Sequence, residues 1–285
     1  MGSGAQAPRG AVDAAVGRPA RRRRRPARRA PFGFIPLAVV ALALISLPVV
    51  GLLARAPWRE MPGDLAQPGV LAALRLSLVC SGAAVALSCA VGVPLAWVFA
   101  RVPFPGRTLA RAVVTLPMVL PPVVGGVALL LAFGRQGLVG EWLYRAFGIT
   151  IPFTTTAAVL AETFVAMPFL IVTVEAGLRS LGQRYEDAAS TLGAGRWTTF
   201  RRVTLPLIAP SLGAGAALSW ARALGEFGAT ITFAGNLPGS TQTVPLAVYV
   251  ALENNLGGAI ALSLVMLAVS LAVLVALRGH WLGGR

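Results

Sequence analysis

Asp187-Ala188-Ala189-Ser190-Thr191-Leu192-Gly193-Ala194-Gly195-Arg196-Trp197-Thr198-Thr199-Phe200-Arg201-Arg202-Val203-Thr204-Leu205-Pro206 is the stretch on which the reading of this chain turns. It is polar, carries arginines, and lies between two long apolar runs. Just upstream, Ser180-Leu181-Gly182-Gln183 has the spacing of a capping box. That spacing predicts a short helix with Glu186 and Asp187 in its first turns, where acidic side chains complement the positive end of the helix dipole. Ala188, Ala189 and Leu192 give this helix a small apolar face, and Gly193 breaks it. Gly195 to Arg202 starts a second helix, with Trp197 and Phe200 three apart, and Pro206 opens the next apolar run. Residue by residue, this is an amphipathic loop lying on a membrane surface. The combined spacing is far more specific: D-A-A, three residues, Gly193, nine residues, Val203, one residue, Leu205-Pro206.

The apolar setting follows from composition. The chain has 285 residues, 56% hydrophobic and 12% charged, with a mean hydropathy of +0.75. A soluble domain carries about a quarter charged residues. Several apolar runs here reach the roughly 18–20 residues that cross about 30 Å of hydrocarbon. The chain is therefore an all-α polytopic membrane protein.

All 25 basic residues are arginine. Without lysine there is no Walker A phosphate loop and no Schiff-base amine, so any ATP hydrolysis must come from a partner chain. Cys80 and Cys89 stand nine residues apart in one apolar run. That is about 13 Å along a helix, too far for a disulfide, and both read as small buried residues. The lone His280 builds neither a metal site nor a Ser-His-Asp or Cys-His set. A polytopic membrane enzyme, such as a lipid-modifying transferase, would need catalytic carboxylates or histidines clustered at one membrane face. Ten acidic residues scattered along the chain argue against it.

Residues 1–30 are rich in Ala, Gly, Pro and Arg, with Arg21 to Arg25 and Arg28-Arg29 in basic runs. Nothing there can form a core, so the segment reads as a disordered cytoplasmic tail. Its charge suits a topology signal touching anionic lipid headgroups better than nucleic-acid binding. The following apolar run, Phe32 to Leu53, is longer than a signal-peptide core and shows no clear small-residue cleavage site. It is read as a retained first span.

Hydropathy places six spans at about 34–54, 72–100, 110–133, 153–178, 206–233 and 258–278. Pro94, Pro117, Pro121-Pro122 and Pro168 fall inside spans, where neighbouring helices re-satisfy freed backbone groups. With the N-terminus inside, the inner segments hold nineteen arginines and the outer segments four. This positive-inside bias puts both termini and the Asp187 loop in the cytoplasm.

Few charges enter the spans. Arg222 and Glu226 lie four apart within 206–233, hence on one helical face. They read either as a mutually neutralising pair that fixes helix packing or as residues on or beside a translocation pathway. Gly225 and Gly228 flank them and permit close helix approach. Glu162 and Glu175 in the fourth span are placed toward its ends, where hydration keeps them cheap, and Arg75 toward the outer end of span two.

The D-A-A loop resembles the cytoplasmic "EAA" loop of ABC importer permeases, with Asp187 for the usual Glu. The match sharpens downstream. Ala221-Arg222-Ala223-Leu224-Gly225-Glu226-Phe227-Gly228-Ala229-Thr230 is similar to the signature of oxyanion permeases, in particular the molybdate permease subunits. Asn236-Leu237-Pro238-Gly239-Ser240-Thr241-Gln242-Thr243-Val244-Pro245-Leu246-Ala247 resembles their outer loop. Leu116-Pro117, Pro121-Pro122-Val123-Val124-Gly125 and Phe133-Gly134-Arg135-Gln136-Gly137 fit the same family. Sulfate and thiosulfate permeases would carry Glu-Tyr-Gly-Ser where this chain has Glu226-Phe227-Gly228-Ala229.

The resemblance covers residues 70–278 as a type I (MetI-like) permease domain. Before it stand the tail (1–30) and a first helix with its outer loop (31–69); a cytoplasmic C-terminus (279–285) follows. It implies a subunit of the bacterial inner membrane that is not itself an enzyme and binds no cofactor, with ATP-Mg on a partner. Two copies of the chain would work with two ATP-binding subunits and an extracytoplasmic molybdate-binding protein, moving the anion by alternating access. Glu186, Asp187, Ala188, Ala189, Gly193, Leu205 and Pro206 are then the coupling residues. Arg222, Glu226, Gly225, Gly228 and Thr230 are candidates for the pathway. A sulfate, thiosulfate or tungstate permease is the nearest alternative. A passive channel or scaffold would have no use for the loop.

Overall fold

In hydrocarbon every backbone N–H and C=O must find a partner inside the protein, and an α-helix supplies those partners within each segment. The computed structural model describes Gly2 and residues 33–282. The expected disordered tail (residues 1–30) and the end of the expected cytoplasmic C-terminus (279–285) lie largely outside the described residues. The chain divides into two units, residues 1–49 and 50–285. In the first, α1 begins; it runs Phe34–Ala54, 21 residues, or about 31 Å at the helical rise.

The second unit continues with α2 (Met61–Leu65), α3 (Pro68–Arg101), α4 (Arg107–Met118), α5 (Pro122–Phe133) and α6 (Gly140–Phe147). Then come α7 (Thr155–Leu181), α8 (Arg184–Thr191), α9 (Arg196–Leu224), α10 (Gly228–Phe233), α11 (Val244–Asn254) and α12 (Leu256–Leu282). Among the described residues five helices are long and apolar enough to cross a membrane, or six if α4 and α5 together count as one broken span.

α7 is the central pillar. It starts on an N-cap, the Thr154 hydroxyl accepting from the Ala157 N–H at 3.2 Å. Its sequence places Ala157, Ala158, Ala161 and Ala166 in the interior. Lipid tails are as apolar as leucine, so packing between spans rests on close van der Waals fit and small residues. Gly177 shows this: a Cβ there would lie 2.5 Å from the Ser211 Cβ of α9. Where α3 crosses α7, Gly92 leaves the same room, its virtual Cβ meeting Leu170 at 3.0 Å and Ile171 at 3.1 Å. α3 reaches this crossing through a π-helical turn, Ser88–Gly92, just before Pro94. Pro94 has no N–H to give the preceding turn, and the widened turn absorbs that gap.

The structure corrects two of the six spans. Residues 110–133 are not one helix: α4 and α5 meet at 116° across residues 119–121. Pro121 and Pro122 supply no N–H groups, and a residue before proline is pushed out of the helical region; Pro121 itself sits at φ −54°, ψ 130°. Residues 206–233 are also broken. α9 stops at Leu224, and α10 begins at Gly228 after a three-residue gap. Upstream, α9 starts earlier than the apolar run does, at Arg196, and passes through a second π turn, Phe200–Thr204.

Candidate coupling site and buried charges

α8 holds the D-A-A residues. Glu186 and Asp187 do fall in its first turn, but there is no capping box. Gly182 stands at φ +69° and ends α7 instead, and the Ser180 hydroxyl donates to the Gly177 carbonyl. Gln183 is the N-cap of α8 and makes no side-chain cap bond. At the other end, Gly193 at φ +83° donates to the Ser190 carbonyl at 3.0 Å, while the Ala194 N–H donates to that of Ala189 at 3.0 Å. This double bond pattern is a Schellman motif, and its left-handed position favours glycine.

The two acidic residues of the first turn have opposite fates. Asp187 is exposed, as is Ala188. Glu186 turns inward, and its Oε2 accepts from Arg101 Nε at 3.0 Å. Its Oε1 accepts from Arg101 Nη2 at 3.2 Å and from the Thr204 hydroxyl at 2.9 Å. Arg101 Nη2 also donates to the Gly182 carbonyl at 2.9 Å. The side chains are only 7% (Arg101) and 16% (Glu186) exposed. Leu192 and Trp197, by contrast, are 88% and 71% exposed, with the Trp197 ring stacked on Phe200 at 5.7 Å. Leu205 is half-buried and Pro206 exposed, both inside the continuous α9 rather than at its start.

Nothing in the sequence marks Arg101 or Thr204 as part of this site. An arginine at the inner end of a span reads as a topology charge, and nothing in sequence separates Arg101 from Arg107 or Arg111. Those two donate to the Phe99 carbonyl, Arg111 at 2.8 Å, and so serve the last turn of α3. Thr204 stands at the unspecified place between Val203 and Leu205.

The buried acids also differ from expectation. Glu175 is buried and held by ion pairs to Arg111 and, at 2.9 Å, to Arg179; charge pairing takes the place of hydration. Glu162 is 1% exposed, well inside the bundle, and its Oε2 has no hydrogen-bond partner. Arg75 is exposed.

Arg222 and Glu226 do meet, Nη1 to Oε2 at 2.6 Å, yet not as two residues of one helix. Glu226 lies in the gap after α9, and its Oε1 accepts the Ala229 N–H at 2.8 Å. One carboxylate thus ends α9 through Arg222 and starts α10. Glu226 is 1% exposed, whereas the Arg222 side chain keeps 27%. Gly228 permits close approach as expected: a Cβ there would come within 2.7 Å of the Pro122 Cβ of α5. Gly225 does not, since its Cβ would meet nothing nearer than its own helix, the Ala221 carbonyl at 3.6 Å. Thr230 is fully buried with its hydroxyl unpartnered. The segment resembling the outer loop is locked at its start by the Thr241 hydroxyl accepting from the Leu237 N–H, and at its end by Ser77 Oγ accepting from the Val244 N–H.

The profile of the binding-protein-dependent transport system inner membrane component family matches residues 92–279. The molybdenum transport system permease protein ModB of Mycobacterium tuberculosis (strain H37Rv) is 45% identical over 230 residues, 80% of this chain and 86% of that protein. The sulfate transport system permease protein CysT of Escherichia coli (strain K12) is 39% identical over 227 residues, 79% of this chain and 82% of that one. Among solved structures, a bacterial ABC transporter involved in the import of the acidic polysaccharide alginate superimposes with a TM-score of 0.70 at 18% identity, covering 89% of this chain and 95% of its counterpart. At that identity the likeness speaks for the fold alone.

Proposed function

This chain belongs to the family of binding-protein-dependent inner membrane transport components, and from that membership we propose that it is the permease subunit of an ATP-driven molybdate importer. The observation that carries the anion is the 45% identity to a molybdenum permease across most of both chains. The sulfate relative at 39% supports the second reading, a sulfate-group permease.

On this reading two copies of the chain form the membrane half, two ATP-binding subunits hold ATP-Mg, and an extracytoplasmic binding protein delivers the anion. Nucleic acid has no part in it. The absence of lysine supports a motor on a separate chain, since a phosphate loop cannot be built here. The arginine distribution supports a cytoplasmic α8 and cytoplasmic termini. The exposed face of α8 and its flanks, with Asp187, Ala188 and Leu192, is the docking surface for the ATPase. The Schellman turn at Gly193 sets the angle at which the chain leaves it toward Leu205 and Pro206. A groove lined by Gly177, Ser180, Ala209, Pro210 and Gly213 has the small-residue character that a second copy needs for close approach.

Arg222 and Gly225, the accessible members of the break after α9, are assigned to the wall of the anion route, with Glu226, Gly228 and Thr230 buried behind them. Arg222 attracts a dianion, and its pairing with Glu226 keeps it from becoming a trap. Uptake of labelled molybdate by vesicles carrying the permease, ATPase and binding protein tests the function. A hundredfold excess of unlabelled sulfate is expected to leave uptake intact, and equal displacement by sulfate overturns the choice of anion.

A further inference from the structure

α8 is eight residues long, too short to hold its helix alone in water. It is joined to α7 through Gly182 (φ +69°) and to α9 through the Schellman turn at Gly193 (φ +83°), and a Cβ at either glycine would touch nothing within 4 Å. A push delivered to such an element needs side-chain ties to the bundle if it is not to be lost in the two linkers. What prevents this loss is the cluster around one carboxylate. Arg101, the last residue of α3, grips Glu186 of α8 with both Nε and Nη2, at 3.0 and 3.2 Å. The same guanidinium holds the Gly182 carbonyl at the end of α7, and Thr204 of α9 donates to the same carboxylate. Four elements therefore converge on one largely buried, two-pronged ion pair, a geometry that fixes orientation as well as distance.

We propose that Arg101 is the positioning residue that transmits the stroke of α8 to α3, making the loop and the inner ends of α3, α7 and α9 move as one body. Glu186 stands one residue before the D-A-A spacing, so the motor-facing acid (Asp187) and the bundle-facing acid (Glu186) are neighbours with separate tasks. This rests on the reading of α8 as the docking element for an ATPase. Arginine is required for the fork; lysine supplies the charge without it.

The test uses the whole transporter, permease with ATPase and binding protein, reconstituted in proteoliposomes. Three quantities are read: ATPase retained on the permease, ATP hydrolysed, and molybdate transported per ATP. In Arg101→Gln the ATPase stays bound and hydrolyses ATP, while molybdate moved per ATP falls about tenfold or more, the scale of a typical coupling free energy. Arg101→Lys lies between, and the exchanged pair Arg101→Glu with Glu186→Arg recovers part of the loss, the bonds to the Gly182 carbonyl and from the Thr204 hydroxyl being given up. A merely structural contact would lower yield and all three quantities together. The proposal is overturned if Arg101→Gln or Arg101→Lys transports as much per ATP as the native chain. It is equally overturned if the exchanged pair does no better than the single variants. Should Arg101→Gln not fold, the Lys variant and the exchanged pair decide. Gly193→Arg separates the two levels: if it leaves ATPase binding and uptake intact, the docking reading itself fails, whatever Arg101 does.

Discussion

Glu226→Ala is the most demanding perturbation of the bundle, because one carboxylate serves two elements. The substitution orphans the Arg222 guanidinium, now 2.6 Å from Glu226 Oε2, and removes the acceptor of the Ala229 N–H. Breaking a fully buried ion pair costs about 3–5 kcal/mol. Arg222 keeps 27% of its side-chain surface, so solvent screening cuts its share to about 2 kcal/mol. A buried N–H left without a partner adds about 1–2 kcal/mol. The total is about 3–4 kcal/mol. Glu226→Gln keeps an oxygen for Ala229 and loses only the charge, which leaves about 2 kcal/mol. Removing both charges, in Arg222→Ala with Glu226→Gln, is expected to cost less than the sum of the single changes by about 1–2 kcal/mol. Denaturant-induced unfolding of the purified transporter in mixed micelles measures all four. Equal stability of the native chain, the Gln variant and the Ala variant, or strict additivity in the cycle, would refute the claim that this carboxylate joins α9 to α10.

Gly193→Ala forces a side chain into the left-handed region at about 1–2 kcal/mol; hydrogen exchange over residues 184–194 is expected to accelerate about tenfold while that of α7 stays unchanged. Gly228→Ala pushes a Cβ to within 2.7 Å of the Pro122 Cβ and is expected to destabilise by about 1–3 kcal/mol. Gly225→Ala, whose Cβ would make only ordinary contact with the Ala221 carbonyl at 3.6 Å, is expected to change unfolding by less than about 0.5 kcal/mol. Glu226→Gln also uncovers the charge of Arg222 along the proposed route. Both KM and kcat for molybdate uptake are then expected to fall together, the pattern of tighter holding and slower release.

The architecture is legible in the sequence because hydropathy and charge asymmetry are read over tens of residues. The α8 region was also readable, since D-A-A, Gly193 and Leu205-Pro206 are local and fixed in spacing. Distant pairings were not. Nothing near Glu186 reveals that Arg101, 85 positions away, grips it. Distance from the span ends places Glu162 and Glu175 in sequence, whereas burial depends on which neighbours cover them; Glu175 meets Arg111 from another helix. The break at Glu226 was hidden because Ala221 to Phe233 is apolar enough to read as one span. The backbone break at residues 225–227, closed by the carboxylate's bond to Ala229, shows where the second helix starts. The double proline at 121–122 is visible, but a kink and a 116° turn look alike in sequence.

The proposed coupling requires that α8 face the cytoplasm and touch a nucleotide-hydrolysing partner. A single cysteine at Ala188, in a chain with Cys80 and Cys89 replaced, reports both facts in sealed vesicles of known orientation. The expected result is labelling by an impermeant reagent only from the cytoplasmic side, with cross-linking to the ATPase that changes when ATP is added. Labelling from the opposite face, or no ATPase cross-link under any nucleotide condition, would contradict the account.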